Sequence, residues 1–374
     1  MFTDSYRPRL SGVVHSVAAV AAALRAQGHR VVVFAPRKEG FVDTEPDVIR
    51  LPSVPNRRHP DFPLLLPAVP GLSRTLAELG VQVVHAHSPF SAGQLALRAR
   101  GRRPLVFTHH TLYDEYVHYA LLVPRAWARW WVRRRVVGFC NQCDAVVAPT
   151  GAVRDRLRAS GVRTRVEVVS TAALDLEAVA QIQPVDRAAW GVPAGAPLVV
   201  CAGRMAPEKS MEDVLLAFAR TPTLRGAYLA MVGGGPSLHA LRRLAQQLGL
   251  DRRVVFPGSV PWEQVVGWMK AGDVFAFASR TETQGLVVAE ALACGLPVVA
   301  VRAGGVAEVV EDGRSGLLVD ADAAALGVAV ARVLEDASLR QALREGARAR
   351  AAHFSSDQVA RRLLALYRDL GGVG

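Results

Sequence analysis

The feature that most restricts the possible folds is an alternation of short, uninterrupted apolar runs with stretches of helical length. Val31-Val32-Val33-Phe34-Ala35, Val81-Gln82-Val83-Val84-His85, Leu105-Val106-Phe107-Thr108 and Ala145-Val146-Val147-Ala148 are β-rich and end in polar or proline-containing loops. Helical stretches such as Val17–Leu24 lie between them. Near-continuous apolar strands separated by helices require parallel sheets covered on both faces. The series restarts at Leu198–Ala202 and continues through Tyr228–Val232, Val254–Phe256, Val274–Phe277 and Val298–Val301. Two successive doubly wound α/β domains are the simplest reading. The junction falls in Gln181–Val185 with Val192–Pro197. Only Met1-Phe2-Thr3 precedes the first loop, so the first strand is stunted unless the natural start lies upstream.

A chain of 374 residues that is 51% hydrophobic is long enough for two cores. Four cysteines make no disulfide framework, and no signal peptide or long apolar span is evident, so a reducing, cytoplasmic setting is expected. The net charge of +12 is lopsided. Residues 1–180 carry 24 basic against 14 acidic side chains, and the remainder 21 against 19. A basic first half can meet nucleic acid, anionic lipid or an acidic small molecule.

The stretch Ser279–Pro297 reads as a polar loop feeding a helix over Leu286–Cys294, with Gly295 and Pro297 ending it. Gly285 stands where the loop becomes helix, and unpaired N–H groups there can hold a phosphate. Glu282 precedes that point and Glu290 follows it, with seven residues between them. They are spaced to grip hydroxyl groups on either side of a diphosphate, as a sugar nucleotide requires. Gly203, Arg204 and Lys209 follow the strand Leu198–Ala202, placing two cations at one strand end. Gly233-Gly234-Gly235 is glycine-rich but matches neither dinucleotide nor P-loop spacing, and a plain turn is an equal reading. Asp320-Ala321-Asp322 resembles a metal-binding D-x-D, but it opens a helix, where aspartate is an ordinary cap.

In the first half, histidines gather at two strand ends, His85-Ala86-His87 and His109-His110. No helical pair suitable for a metal is present, and no metal is expected. Cys140-Asn141-Gln142-Cys143 has no second pair nearby, so buried cysteines fit better than a zinc or redox site. Gly12, at the start of the first helix, either lets backbone approach a ligand or simply makes a turn. Three tryptophans and five arginines fall within residues 125–135. Trp127, Trp130, Trp131 and Arg134 share a helix face, with Arg129 and Arg133 nearby. An interfacial helix on anionic phosphates, a core helix with a basic outer face, and a nucleic-acid contact are all open, the last lacking any recognised motif.

Glu282 and Glu290, with Gly285-Leu286 after the first, Arg204 and Lys209 upstream and Gly304-Gly305 with Glu308 downstream, together resemble retaining glycosyltransferases of the GT-B fold. Pro8–Val13 is similar to that family's N-terminal glycine loop. Thr281–Val287 and His110–Tyr119 resemble bacterial glucosyltransferases acting on diacylglycerol. The resemblance spans essentially the whole chain. It implies two Rossmann-like domains facing across a cleft: an acceptor-binding domain over 1–175 joined by a crossover helix at 355–374, and a nucleotide-sugar domain over 176–354. It implies that Glu290 holds the ribose hydroxyls and Glu282 the sugar. Backbone at Gly285, Leu286 and Val287 would meet the diphosphate or sugar, Arg204 and Lys209 the leaving diphosphate, His110 the sugar, and Gly12 the diphosphate. One departure is Ala172, where the family often has glycine.

The expectation is therefore a retaining, metal-independent hexosyltransferase needing no cofactor. Its donor is a nucleoside diphosphate sugar, UDP-glucose first among candidates. Its acceptor is a membrane lipid such as diacylglycerol, reached peripherally on the anionic inner face of the cell membrane. A soluble sugar or metabolite acceptor is the alternative. A non-catalytic nucleotide-sugar-binding or scaffold protein is the alternative from another class. A nucleic-acid partner is not expected.

Overall fold

A computed structural model describes residues 1–9, 11–54, 56, 63–115 and 124–371. The chain forms two compact units, Met1–Ala173 with Ser356–Gly374, and Leu174–Ser355.

The first unit holds strands β1 (Val33–Pro36), β2 (Val48–Leu51), β5 (Val84–Ala86), β6 (Leu105–Thr108), β7 (Ala145–Ala148) and β8 (Val166–Val168), with a short antiparallel pair, β3 (Ser53–Val54) and β4 (Leu64–Leu65). β1 pairs with β2, and β5 to β8 pair in order, all parallel. Phe2 joins the two groups by parallel bridges to Phe34 and Ala86. The stunted first strand therefore occupies the middle of the sheet. Its Phe2 N–H donates to His85 at 2.8 Å and its Thr3 N–H to Phe34 at 3.1 Å. Two expected strands start late. Val81 spends its N–H on the Leu76 carbonyl, closing a helix end rather than entering the ladder.

Period-two alternation explains why these strands are apolar throughout. On β6 and β7, Leu105, Phe107, Val146 and Ala148 face one core, and Val106, Ala145 and Val147 the other. The first core is completed by helices α2 (Leu72–Glu78), α3 (Ser91–Ala99), α4 (Arg125–Cys140) and α5 (Gly151–Ala159). The second is completed by α1 (Gly12–Ala26) and by the last helix, Ser356–Asp369, through Val17, Ala21, Leu24, Leu363 and Leu364.

The second unit has strands β9 (Leu198–Ala202), β10 (Tyr228–Val232), β11 (Val254–Gly258), β12 (Val274–Phe277), β13 (Val298–Val301) and β14 (Gly316–Val319). They form one parallel sheet in the order β11-β10-β9-β12-β13-β14. Its helices are α6 (Leu176–Gln181), α7 (Met211–Arg220), α8 (Leu238–Gln247), α9 (Trp262–Ala271), α10 (Leu286–Ala293), α11 (Val306–Val309), α12 (Ala323–Glu335) and α13 (Ala337–Ala351). Helix α14 is the Ser356–Asp369 segment already placed in the first unit. The order reverses between β9 and β12, and ligands of such sheets bind outside the carboxyl ends at that point. The loops after β9 and β12 are those carrying Lys209 and Glu282.

Phe2 is 1% exposed and stacks on Phe34 with ring centroids 4.6 Å apart. Phe2→Ala should cost about 3–5 kcal/mol, read as a lower urea midpoint. Phe2→Leu should cost less than about 1.5 kcal/mol, because most of the volume is kept.

Candidate active site

Close backbone packing shapes the strand ends of the second unit. After β9 the chain turns at Gly203, whose φ is 140°. Gly203 N–H donates to Val232 at 3.0 Å and Met205 N–H to Gly234 at 2.8 Å. A Cβ on Gly233 would stand 2.0 Å from the Gly203 carbonyl oxygen. One on Gly235 would stand 2.4 Å from that of Met205. The triple glycine thus serves loop-to-loop packing. A 3₁₀ turn, Pro207–Lys209, follows, and Ser210 takes a left-handed φ of 47° as α7 begins.

Lys209 Nζ reaches Glu282 Oε1 at 2.5 Å, both side chains being largely buried. Ser279 and Thr281 hydroxyls donate to the Glu208 carbonyl at 3.4 and 3.2 Å, tying the two loops together. From behind, Gly305 N–H donates to the Glu282 carbonyl at 2.9 Å. A Cβ on Gly304 would lie 2.6 Å from that oxygen, and one on Gly305 2.1 Å from the Thr283 carbonyl. Gly285, with φ 85°, is the N-cap of α10 and offers no side-chain cap. The helix N–H groups of Leu286 and Val287 are therefore suited to an anion. Cys294 is the C-cap, one residue short of the expected helix end.

Glu290, on α10, is 8% exposed and accepts a hydrogen bond from Trp262 Nε1 at 3.0 Å. Burial pushes its carboxyl up to about 7, with the indole N–H acting in the opposite sense. Trp262 is a site residue that sequence reading missed. Its signal was faint: a tryptophan following Pro261 just after a strand. Arg204 is exposed on the loop beside Lys209. Asp322 caps α12, accepting from Ala325 N–H at 2.9 Å, as an ordinary helix start.

The first unit gathers the histidines. Buried His85 contacts the Tyr367 hydroxyl through Nδ1 at 2.6 Å and Thr108 Oγ1 through Nε2 at 2.7 Å. His87 Nδ1 lies 2.9 Å from His110 Nε2. Desolvation holds His85 and His87 well below the ordinary histidine range and lowers His109 to about 4 and His110 to about 3. All four rings are neutral at pH 7. Beside them Asp4 accepts from Ser88 Oγ and from the Ala92 N–H (2.8 Å) at the start of α3. Gly12 is the exposed first residue of α1, capped by Ser11. Tyr116–Tyr119 of the resembling segment lie outside the described residues.

Helix α4 settles one open alternative. Trp127, Trp130 and Trp131 are 53%, 55% and 42% exposed, so the core-helix reading fails for them. Ala128, Val136, Phe139 and Cys140 make the buried face instead. Arg129, Arg133 and Arg134 are exposed, and Arg134 lies 5.7 Å from the Trp130 ring centroid. Cys140 and Cys143 are buried, and desolvation pushes both thiols up, to about 12 for Cys140, so neither is a ready thiolate ligand. Among the described residues no group of three or more His, Cys, Asp or Glu is placed to hold a metal. No helix among them is long and apolar enough to cross a membrane.

The family model "Glycosyl transferases group 1" matches residues 182–350, and "Glycosyltransferase Family 4" matches residues 10–173. The chain belongs to the group 1 glycosyltransferases. An alpha-monoglucosyldiacylglycerol synthase of Streptococcus pneumoniae is 32% identical over 80% of this chain and 70% of its own. A GDP-mannose-dependent alpha-(1-6)-phosphatidylinositol monomannoside mannosyltransferase of Mycolicibacterium smegmatis is 32% identical over 90% and 89%. Anabaena HepE, solved with UDP-glucose, shares the fold with a TM-score of 0.77 at 21% identity, covering 99% of this chain and 100% of that one. This glycosyltransferase thus has the GT-B class of fold, two Rossmann-like parallel-sheet units.

Folding moves the Glu290 carboxyl from its ordinary 4.5 to about 7. Between those values the folded glycosyltransferase holds the proton more tightly than the unfolded chain, so stability falls as pH rises through 7. Glu290→Gln should exceed the parent in stability at pH 8 by on the order of 3 kcal/mol. That advantage should vanish near pH 4.5, measured by urea denaturation without nucleotide.

Proposed function

We propose that this glycosyltransferase moves a hexose, with retention of anomeric configuration and without a metal, from a nucleoside diphosphate sugar to a membrane lipid. UDP-glucose is the proposed donor and diacylglycerol the proposed acceptor class. The observation that carries the donor half is the Lys209–Glu282 pair beside the uncapped helix start at Gly285, with Glu290 on the same helix. The names of the Streptococcus and Mycolicibacterium relatives support a lipid acceptor.

In this reading Glu290 accepts from the ribose hydroxyls and Glu282 from the hydroxyls of the hexose. Leu286 and Val287 backbone N–H groups, with Gly285 leaving room, hold the diphosphate. Arg204 and Lys209 neutralise it as it leaves, so positioning and electrostatics supply the rate. Gly203 and Gly12 allow close backbone approach. His110 touches the sugar. The acceptor oxygen forms its bond to the anomeric carbon on the face from which the phosphate departs. The bond to the phosphate oxygen breaks, and that oxygen takes the acceptor's proton.

The lipid half rests on α4. Trp127, Trp130 and Trp131 expose ring surface beside Arg129, Arg133 and Arg134, which suits headgroup depth over anionic phosphates. The protein would then sit peripherally on the inner face of the cell membrane.

Incubation with a panel of sugar nucleotides, with and without diacylglycerol vesicles, tests the proposal. Transfer from one donor that needs the vesicles is expected, whereas transfer only to soluble sugars would remove the lipid acceptor. Lys209→Ala should lower kcat by about 10²–10³-fold, and full activity in that variant would sink the leaving-group role. Sedimentation with anionic vesicles should exceed that with zwitterionic ones and reverse in high salt. Equal binding to both would eliminate the electrostatic contribution.

A further inference from the structure

We infer that Trp262 is a positioning residue that holds the Glu290 carboxylate for a ribose diol, and so sets a preference for ribonucleotides over their deoxy forms. The inference rests on the proposed role of Glu290 at the ribose, and all its residues lie in the second unit.

Trp262 opens α9, with Pro261 as N-cap, and Glu290 stands on α10. The indole Nε1–H donates to Glu290 Oε1 at 3.0 Å. The terminal torsion of a glutamate is soft, so an unanchored carboxylate turns readily. One directed donor on one oxygen removes most of that freedom. The same donor selects a charge state. Burial favours the neutral acid at Glu290, and the indole hydrogen bond opposes it. Only the ionised carboxylate is purely an acceptor, suited to the two hydroxyl protons of a vicinal diol. A lysine or arginine in place of the indole would also fix the carboxylate, but it would neutralise it. The indole leaves the negative charge whole for the hydroxyls.

The helix that carries the indole is fixed at both ends. Gly233 N–H donates to the Gly258 carbonyl at 2.9 Å, tying the end of β11 to the turn after β10. A Cβ on Gly234 would stand 2.2 Å from Ser259 Oγ, so the triple glycine packs against the loop that delivers Trp262. At the far end of α9, Lys270 Nζ donates to the Ala180 and Ile182 carbonyls at 2.9 and 2.6 Å. Between them a Cβ on Gly267 would stand 2.9 Å from Val185 Cγ1. Trp262 therefore meets Glu290 as a donor set by backbone packing.

Calorimetry at pH 8, above the value of about 7 to which burial raises the Glu290 carboxyl, compares UDP with 2′,3′-dideoxyUDP. The parent should prefer UDP by on the order of 30-fold, as for hydroxyls on a charged acceptor. Trp262→Phe keeps an aromatic ring and removes the N–H. It should cut the preference to within about 3-fold by losing UDP affinity, while 2′,3′-dideoxyUDP binds as it does to the parent. Trp262→His keeps a ring N–H and should recover part of the preference. Equal losses for both nucleotides in Trp262→Phe would mark a merely structural role and overturn the inference, as would an unchanged preference. Nitrogen-15 NMR of the parent supplies a check that needs no variant. The Trp262 indole N–H should shift further on saturation with UDP than with 2′,3′-dideoxyUDP, and equal shifts would also overturn the inference. A parent that binds the two nucleotides equally would instead remove the ribose role of Glu290, and this inference with it.

Discussion

Backbone lies directly on backbone at the strand ends of the second unit, and the proposed donor site depends on that contact. Gly304 and Gly305 pass beneath Glu282 and Thr283 with no room for a side chain. Gly233 and Gly235 do the same beneath Gly203 and Met205. Loops held this closely bring Lys209 onto Glu282 without either side chain searching through rotamers. The ammonium and carboxylate then share the cost of leaving water, which neither would bear well alone. Two residues beyond Thr283, Gly285 takes a left-handed conformation at the start of α10.

The two units solve one topological problem with different chemistry. Each reverses its strand order around a central strand, β9 in the second unit and the segment at Phe2 in the first. Each presents its functional groups at the carboxyl ends beside that reversal. The second unit offers charge: Lys209, Glu282, Glu290 and the exposed Arg204. The first offers four neutral, desolvated rings, three of them in one row, His85 stacked on His87 and His87 bonded to His110.

The alternation of apolar runs made the doubly wound architecture legible, because strands buried on both faces leave no polar position to confuse the pattern. Glu282, Gly285 and Glu290 were legible because one loop and one short helix carry all three. Trp262 was not, since the indole meets Glu290 only after α9 and α10 come together in space. Nor was the partnership of His85 with Tyr367, residues 282 positions apart. The central strand at Phe2 was too short to show its own periodicity, and its place follows from the partners on both sides. For α4 the spacing gathered the tryptophans onto one face without saying which way it pointed. Ala128, Val136 and Phe139 decided that by packing inward.

Tyr367 has a consequence for how the chain is made. The second unit is one uninterrupted segment, Leu174–Ser355, whereas the first is split between Met1–Ala173 and the residues from Ser356 onward. Helix α14 supplies Val359, Leu363, Leu364 and Tyr367 to a core begun by α1. During synthesis the first unit must wait, one core face uncovered and His85 without its phenol, until the last helix leaves the ribosome. The segment translated second can complete its fold first, which inverts the usual N-to-C order of domain folding.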